Sequence, residues 1–382
     1  MTSSLNSLQE LRRLGQSVWF DNIRRGLIKS GELQQLIDQG VTGLTSNPTI
    51  FEKAISGSTD YDDALLMLAR DGKNAEEIFE ALAMEDIRDV ADLLRPIYDE
   101  TDGVDGYASI EVSPHLAGKT DETIADARRL FAALDRPNVM IKVPGTPEGV
   151  PAIRRLISEG INVNTTLIFS LDAYAHVREA YISGLEALVE NGGDPGRVAG
   201  VASFFVSRVD GVVDALLQKR AEGGDEEARS LMGKAAISNA KVAYRDFEAT
   251  FGDARFQALE ARGARVQRPL WASTSTKNPD YSDVLYVDEL IGPHTVNTMP
   301  DATLAAYLDH GSPAVTIGDW LDKALVNTER LEDLGISMDK VTSTLLENGV
   351  KSFADSYDLL VANIEEKRAK LLVEGDVVRL GD

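Results

Sequence analysis

The sequence contains no cysteine and only four histidines among its 382 residues. The missing cysteines exclude disulfides, thiolate metal sites and cysteine nucleophiles, and are consistent with a reducing compartment. His115, His176, His294 and His310 are scattered and show no metal-ligand spacing. We therefore expect no metal ion or other cofactor.

Long apolar runs are also missing, since nothing in the sequence approaches eighteen consecutive apolar residues. The N-terminus has no continuous apolar stretch after a basic start, as a signal peptide would. No linker rich in proline, glycine or serine divides the chain. These absences predict a soluble cytoplasmic protein with one domain over residues 1–382.

Basic residues are in the minority, with 39 Lys and Arg against 62 Asp and Glu, for a formal net charge of −23 at pH 7. This charge repels nucleic acid and anionic membrane surfaces, so neither is an expected partner. It would repel anionic substrates as well, so a site for them needs a local group of cations. The hydrophobic content of 43% is enough for a large enzyme core.

Short apolar segments alternate with amphipathic stretches, which is typical of a parallel α/β protein. Eight strands are predicted, at residues 18–21, 41–46, 106–112, 138–143, 161–168, 198–206, 269–273 and 294–298. Eight such units favour a closed (β/α)8 TIM barrel over the alternative, a doubly wound open sheet.

Three further stretches are predicted to be helical. The intervals 51–105 and 207–265 are helix-rich insertions, with an exposed turn near 221–227. In 338–372 apolar residues recur at three- and four-residue spacing, which predicts a C-terminal helix. That helix is expected to pack across the barrel or against a neighbouring subunit of a possible homo-oligomer.

Alternation along the strands predicts which side chains point into the barrel. The inward group is unusually polar, and a core tolerates such groups only when they are paired or used. Its members near the carboxyl ends of the strands are Asp21, Glu111, Lys142, Asn164 and Thr166. Each carboxylate alone could equally be a helix cap or an ion-pair partner.

Lys142 lies between aliphatic neighbours on its strand and is predicted to point inward. A buried amine loses hydration, which favours its neutral and nucleophilic form, so a Schiff-base role is a natural interpretation. The alternative is a structural salt bridge with Glu111 or Asp21.

Four segments in order along the chain resemble motifs of the transaldolase family. They are residues 43–51 (GLTSNPTIF), 140–149 (MIKVPGTPEG), 160–170 (GINVNTTLIFS) and 202–208 (ASFFVSR). The resemblance covers nearly the whole chain. It implies a barrel enzyme that transfers a dihydroxyacetone unit from a ketose phosphate to an aldose phosphate without a cofactor.

The resemblance also implies residue roles. Lys142 would form an imine with the ketose, and Asp21 would accept the proton of the C4 hydroxyl. Glu111 and Thr166 would hold and activate a water. The remaining contacts to the dihydroxyacetone fragment would come from Asn47, Asn164, Ser203 and Phe205.

Phosphate binding departs from the family pattern. Arg208 matches a family arginine, but where many members carry S-F-R-N this chain has Ser275-Thr-Lys-Asn278. Lys277 supplies a charge without the two-pronged geometry of a guanidinium. We expect Arg208 to be the main anchor, assisted by Lys277 and Ser275, although a lone basic residue is more often a solvated surface charge. The variant suggests a divergent, bacterial-type branch.

Rival functions remain. A fructose 6-phosphate aldolase resembles transaldolase in its fold and lysine, but it typically has a glutamine and a tyrosine where this chain has Glu111 and Phe205, and it is much shorter. A catalytically silent sugar-phosphate-binding barrel would be expected to lose Lys142 or its partners, and a fused phosphoglucose isomerase would need several hundred more residues. The resemblance favours transaldolase of the non-oxidative pentose phosphate pathway. Its donors would be sedoheptulose 7-phosphate or fructose 6-phosphate, and its acceptors glyceraldehyde 3-phosphate or erythrose 4-phosphate.

Overall fold

The structure is a computed structural model that describes residues 5–380, with side chains as far as Val373. Eight parallel strands close into a barrel in which each strand pairs with the next along the chain and the last pairs with the first. The strands are β1 Gln16–Phe20, β2 Val41–Thr45, β3 Ala108–Glu111, β4 Val139–Pro144, β5 Val163–Ile168, β6 Gly200–Phe205, β7 Arg268–Ala272 and β8 Thr295–Met299.

All eight predicted strands are confirmed, and the closed order excludes the doubly wound sheet. The first strand begins two residues earlier than its apolar run, at Gln16. The reason is pairing with the last strand, where Gln16 and Ser17 align with Thr295 and Val296. Two polar residues are thus drawn into the ladder by a strand almost three hundred residues away.

Helices surround the barrel and fill both predicted insertions. They are α1 Ser7–Arg13, α2 Arg25–Lys29, α3 Glu32–Gln39, α4 Pro48–Ser56, α5 Asp62–Arg70, α6 Ala75–Glu100, α7 Thr120–Leu134, α8 Gly149–Ser158, α9 Leu171–Glu190, α10 Ser207–Ala221, α11 Glu226–Leu231, α12 Ala235–Phe251, α13 Ala254–Glu260, α14 Leu285–Glu289, α15 Asp301–His310, α16 Leu321–Asp333 and α17 Met338–Leu380. Single 3-10 turns lie at Pro114–Leu116 and Pro195–Arg197. None of the described helices is long and apolar enough to cross a lipid bilayer.

Local sequence signals begin the insertion helices. Asn74 caps α6 through a reciprocal pair of bonds with Glu77, and Asn47 caps α4 with Pro48 in the first helical position. The predicted turn is also found, between Ala221 at the end of α10 and Glu226 at the start of α11.

The C-terminal helix α17 packs across the barrel of its own chain. Thr49, just after β2, donates a hydrogen bond to Ser356 Oγ at 2.8 Å, and His115, after β3, contacts Asp358 at 2.7 Å. Gly349 lies close to Leu167 of β5, so that an added Cβ would be 3.0 Å from its side chain. Because these contacts follow the carboxyl ends of three strands, α17 covers that end of the barrel.

A buried polar cluster closes the amino end of the barrel. Asp105 accepts hydrogen bonds from Trp19 Nε1 at 2.7 Å and from Ser17 Oγ, and its carboxylate lies 3.5 Å from Arg268. Arg268 in turn donates to Ser17 Oγ at 2.7 Å. Gly43 leaves the space that the Trp19 ring needs, because a Cβ there would lie 2.5 Å from the ring.

Candidate active site

Strand register brings three predicted residues side by side at the carboxyl end of the barrel. Glu111 of β3 pairs with Lys142 of β4, which pairs with Asn164 of β5. Paired residues of parallel strands point the same way, so all three share the interior face, as the alternation predicted.

Lys142 is almost fully enclosed. Its Nζ donates a hydrogen bond to the Ser46 carbonyl at 2.9 Å and lies 3.7 Å from Glu111 Oε2. The exposed fractions of the two side chains are 6% and 4%. The amine and carboxylate therefore form an ion pair, but at 3.7 Å they are not hydrogen-bonded to each other.

Asn164 is held by a short chain of hydrogen bonds inside the barrel. Its Nδ2 donates to Ser109 Oγ at 3.2 Å, and its Oδ1 accepts from Ser203 Oγ at 2.7 Å. A donor on one side and an acceptor on the other fix which way the amide points. The polar face that it presents beside Lys142 is therefore preorganised.

Asp21 follows β1 and is anchored by Thr45, whose hydroxyl donates to its Oδ1 at 2.7 Å. Burial raises the pKa of Asp21 above its ordinary value, and the positive charges of Lys142 and Arg208 act against that rise. A carboxylate in this environment can accept a proton more readily than one on the surface.

One cavity of about 300 Å3 joins most of the predicted residues. The predicted residues that line it are Asp21, Asn47, Lys142, Thr166, Ser203, Phe205, Arg208, Ser275 and Lys277. They come from segments up to 256 positions apart (277 − 21), so the fold assembles a site that no single motif contains.

Glu111 and Asn164 are the two predicted residues that do not line this cavity. Asn164 is fully buried beneath it. Glu111 lies behind Lys142, at the inner end of a separate cleft of about 900 Å3 that opens between α6 and α7. The cavity thus reaches the amine of Lys142 from one side, and Glu111 lies on another side of the same amine.

The environment of Glu111 is unusual for a carboxylate. Burial raises its pKa to about 7, against the opposing effect of the Lys142 charge. Both of its oxygens, and the hydroxyl of Thr166, are buried without a hydrogen-bond partner among the described residues. Buried polar atoms normally have partners, so these groups stand out as candidates for a role with substrate or water.

The strand that carries Thr166 is locally strained. Leu167 has a φ of 58°, in the left-handed region that a branched side chain rarely adopts, and the pairing of β5 with β6 shifts between Thr165 and Ile168. Such strain of about 1–3 kcal/mol is characteristic of functional sites. Here it changes the course of the backbone directly after Thr166.

Cations line the outer part of the cavity. Arg208 is in the first turn of α10, with its guanidinium 5.3 Å from the centre of the Phe205 ring, and Lys277 donates a hydrogen bond to Ser275 Oγ at 2.7 Å. Lys53 of α4 lines the cavity too. Since β2 and β6 are four strands apart in a barrel of eight, Lys53 and Arg208 approach from opposite walls.

Ten of the nineteen lining residues were not predicted from the sequence, among them Thr45, Lys53 and Phe353. Lys53 follows the 43–51 segment by two positions, so its place on the first helix after β2 was a usable signal. Phe353 belongs to α17, and nothing local in the sequence indicates that this helix reaches the cavity. In the described part of the chain no group of three or more His, Asp or Glu side chains is arranged to hold a metal ion.

A closed parallel barrel with its polar cavity at the carboxyl ends of the strands defines a (β/α)8-barrel enzyme. The sequence profile of the transaldolase/fructose-6-phosphate aldolase family matches residues 18–364. The chain belongs to this family.

Its curated relatives match over nearly their whole length. The transaldolase of Acidothermus cellulolyticus is 50% identical, over 94% of this chain and 95% of the relative. The transaldolase of Thiobacillus denitrificans is 48% identical, over 94% and 100%. That of Trichodesmium erythraeum is 46% identical, over 96% and 98%.

Proposed function

We propose that this enzyme is a transaldolase, a transferase that moves a dihydroxyacetone unit from a ketose phosphate to an aldose phosphate through a Schiff base on Lys142. The observation that carries the proposal is the enclosed Lys142 amine, 3.7 Å from Glu111 and in one cavity with Asp21. Full-length identity of 46–50% to named transaldolases supports the same reaction.

Lys142 attacks the ketose carbonyl, and loss of water gives the imine. Asp21 then removes the proton of the C4 hydroxyl while the bond between C3 and C4 breaks, and the electron pair of that bond passes into the imine to form an enamine. The raised pKa of Asp21 suits this proton transfer. The aldose product leaves, an acceptor aldose enters, and the same steps run in reverse.

Glu111 and Thr166 serve the proton transfers of imine formation and hydrolysis. Their buried oxygens, which have no hydrogen-bond partner in the part of the chain that the structure describes, flank Lys142 from the two neighbouring strands, which supports a bound water between them. With a pKa of about 7, Glu111 can take a proton from that water and return it near neutral pH.

The three-carbon fragment is held by Asn47 and Ser203, with Phe205 as the apolar wall and with Asn164 beneath the cavity as the support of Ser203. The hydrogen bond that Ser203 donates to Asn164 supports this role, because it fixes the Ser203 hydroxyl at the cavity wall. The enamine must survive until an acceptor arrives, which requires a site that limits access of stray water. Phe353 of α17 lines the cavity and contributes to that enclosure.

The phosphate groups of donor and acceptor bind at the outer cations. Arg208 is the main anchor, with Ser275 and Lys277 beside it, and Lys53 adds positive charge from the opposite wall. Together they give the local positive field that a chain of net charge −23 needs for anionic substrates.

Transfer is favoured over release of free dihydroxyacetone by the residues at two positions. Phe205 lines the cavity without a hydroxyl that could protonate the enamine, and Glu111 is a carboxylate next to the lysine. The intact group of Lys142, Asp21, Glu111 and Thr166 argues against a silent binding barrel. We place the enzyme in the cytoplasm, in the non-oxidative pentose phosphate pathway, on the basis of its family.

Borohydride trapping tests the proposal. The enzyme is incubated with fructose 6-phosphate, reduced and digested, and adducts are located by mass spectrometry. We expect a three-carbon adduct on Lys142. An erythrose 4-phosphate assay then separates transfer from aldolase activity.

Lys241 supplies the internal control, because it is also buried, with its Nζ 3.5 Å from Glu289, but does not line the cavity. An adduct on Lys241, or none on any lysine of the folded enzyme, would contradict the imine mechanism. An adduct on Lys142 with release of free dihydroxyacetone despite acceptor would favour the aldolase.

A further inference from the structure

Two aspartates of α10, one helical turn apart, connect the helix that begins beside Arg208 to the segment that follows Lys277. Asp210 Oδ2 accepts a hydrogen bond from the Tyr286 hydroxyl at 2.8 Å, and Asp214 Oδ2 accepts one from the Tyr281 hydroxyl at 2.7 Å. Residues four apart lie on the same face of a helix, so both bonds leave α10 on the same side.

The other oxygen of each carboxylate is used as well. Asp210 Oδ1 accepts from the Ala236 amide at 2.7 Å, and Asp214 Oδ1 accepts from the Gly233 amide at 2.9 Å. Each aspartate therefore bridges two segments, and with two bonds apiece neither side chain is free to rotate.

Tyr281 is seated directly on Gly233. The glycine has a φ of 70°, and an added Cβ would lie 2.8 Å from Cζ of the Tyr281 ring. A residue with a side chain would be strained here and would push the ring away. The hydroxyl of Tyr281 thus reaches Asp214 because the residue at position 233 is a glycine.

Among its other contacts, the loop between β7 and α14 is joined to α10 at two places, one on each side of Ser275 and Lys277. At its start, the Ser207 amide donates to the Ser273 carbonyl at 3.0 Å, and the two hydroxyls are 3.0 Å apart. On the far side of Ser275 and Lys277, the Tyr281 hydroxyl donates a hydrogen bond to Asp214. Both contacts are therefore with α10, while the hydrogen bond of Lys277 stays within the loop.

The aspartate pair is costly as a purely structural device. Burial and, second to it, the charge of Asp214 raise the pKa of Asp210 to about 7, and burial raises the pKa of Asp214. Asp210 is buried and Asp214 is half-buried, and like charges one turn apart repel each other, so their four hydrogen bonds have to offset that cost. A group that costs stability and joins two parts of a binding site is expected to serve the geometry of that site.

We propose that Asp214 and Tyr281 are positioning residues of the phosphate site: their hydrogen bond, supported by the bond between Asp210 and Tyr286, holds Ser275 and Lys277 in register with Arg208. The inference rests on the proposed function, because it takes these three residues as the phosphate-binding group. It adds the device that sets their relative position.

The test is Tyr281→Phe, which removes one hydroxyl and keeps the ring on Gly233. We expect the KM for fructose 6-phosphate and the inhibition constant of inorganic phosphate to rise by about fivefold, because loss of the bond loosens the loop. The rate at saturation, and borohydride trapping with phosphate-free dihydroxyacetone, are expected to stay unchanged. Tyr181→Phe is the matched control, since it loses a comparable bond, 2.9 Å to the Arg265 carbonyl, at the other end of the barrel.

A double-mutant cycle with Asp214→Ala identifies the bond itself. In the Asp214→Ala background, Tyr281→Phe should have no further effect, whereas independent contributions would multiply and overturn the proposal. Arg208→Lys distinguishes a failure of the positioning role from a failure of the proposed phosphate site. If it raises the phosphate constants and Tyr281→Phe does not, the positioning role is wrong; if neither does, the phosphate site of the proposed function is wrong as well.

Discussion

The two ends of the barrel each enclose a pair of opposite charges, and the pairs differ in how completely the carboxylate of each is hydrogen-bonded. At the amino end, Asp105 accepts from Trp19, Ser17 and the Gly106 amide, and it lies 3.5 Å from Arg268. At the carboxyl end, Glu111 lies 3.7 Å from Lys142, and neither of its oxygens has a hydrogen-bond partner among the described residues.

A buried ion pair stabilises a fold only when hydrogen bonds satisfy its remaining donors and acceptors. The carboxylate of the amino-end pair meets that condition, partly through Ser17, which accepts from Arg268 and donates to Asp105, whereas Arg268 Nη2 has no hydrogen-bond partner among the described residues. The carboxyl-end pair does not meet it, and burial instead raises the pKa of Glu111 to about 7. We conclude that the bonding of the carboxylate separates the structural pair from the reactive one, since both pairs are buried to a similar degree.

The largest expected effect is at the carboxyl end. Lys142→Met should lower turnover by at least about 10⁴-fold, because it removes the amine that forms the imine. The free energy of unfolding should change much less than on loss of Asp105, since the pair is incompletely bonded. Steady-state rates and chemical denaturation measure the two quantities. Lys241→Met, at a buried lysine outside the cavity, should retain trapping on Lys142.

The next effect is at the amino end. Asp105→Ala leaves Arg268, Trp19 and Ser17 without their common acceptor, so we expect a loss of about 3–5 kcal/mol in the free energy of unfolding. Turnover per folded molecule should remain within a factor of about two, because Asp105 is far from the cavity. Asp99→Ala, at an exposed pair with Arg95, is the control and should cost less than about 1 kcal/mol. A similar loss in both variants would refute the structural role of the buried pair.

The pH dependence of the rate tests Glu111. As a proton acceptor Glu111 works in its ionised form, which predominates above its pKa of about 7, so kcat/KM should fall as the pH drops through 7. Glu111→Gln should lower the rate by about a hundredfold and abolish that limb of the profile. Asp86→Asn is the control, because Asp86 also has a raised pKa, about 6, but is bonded to Arg25 and Tyr61 away from the cavity. If Asp86→Asn also abolished the fall of kcat/KM at low pH, that fall would reflect loss of folded enzyme and not the titration of Glu111.

The sequence predicted the carboxyl end far better than the amino end. Strand alternation is a local pattern, so it correctly placed Lys142, Glu111 and Asn164 on one face. The side-chain partners of Asp105 are far away along the chain, Arg268 by 163 positions (268 − 105), and no local pattern joins them. The same limit explains why Phe353, on a helix that follows all eight strands, was not foreseen in the cavity.

Of the features that were not predicted, the strained backbone at Leu167 is the most instructive. Alternation treats β5 as regular, yet its pairing shifts just after Thr165 and Leu167 takes a positive φ. Gly349 of α17 lies beside the Leu167 side chain, since an added Cβ there would be 3.0 Å from it. The residue after Thr166 therefore packs against a helix almost two hundred residues further along the chain.

The smallest effects come from a matched pair of substitutions that each remove one hydroxyl. Ser17→Ala should lower the free energy of unfolding by about 2 kcal/mol, because this hydroxyl bonds both charges of the amino-end pair, and should leave the rate unchanged. Thr166→Val removes a buried hydroxyl with no partner among the described residues, so stability should hold or rise slightly while the rate falls by about tenfold. Denaturation and rate measurements on both variants decide the matter. If Thr166→Val were the one to lose stability and Ser17→Ala the one to lose activity, the distinction between the two ends of the barrel would be wrong.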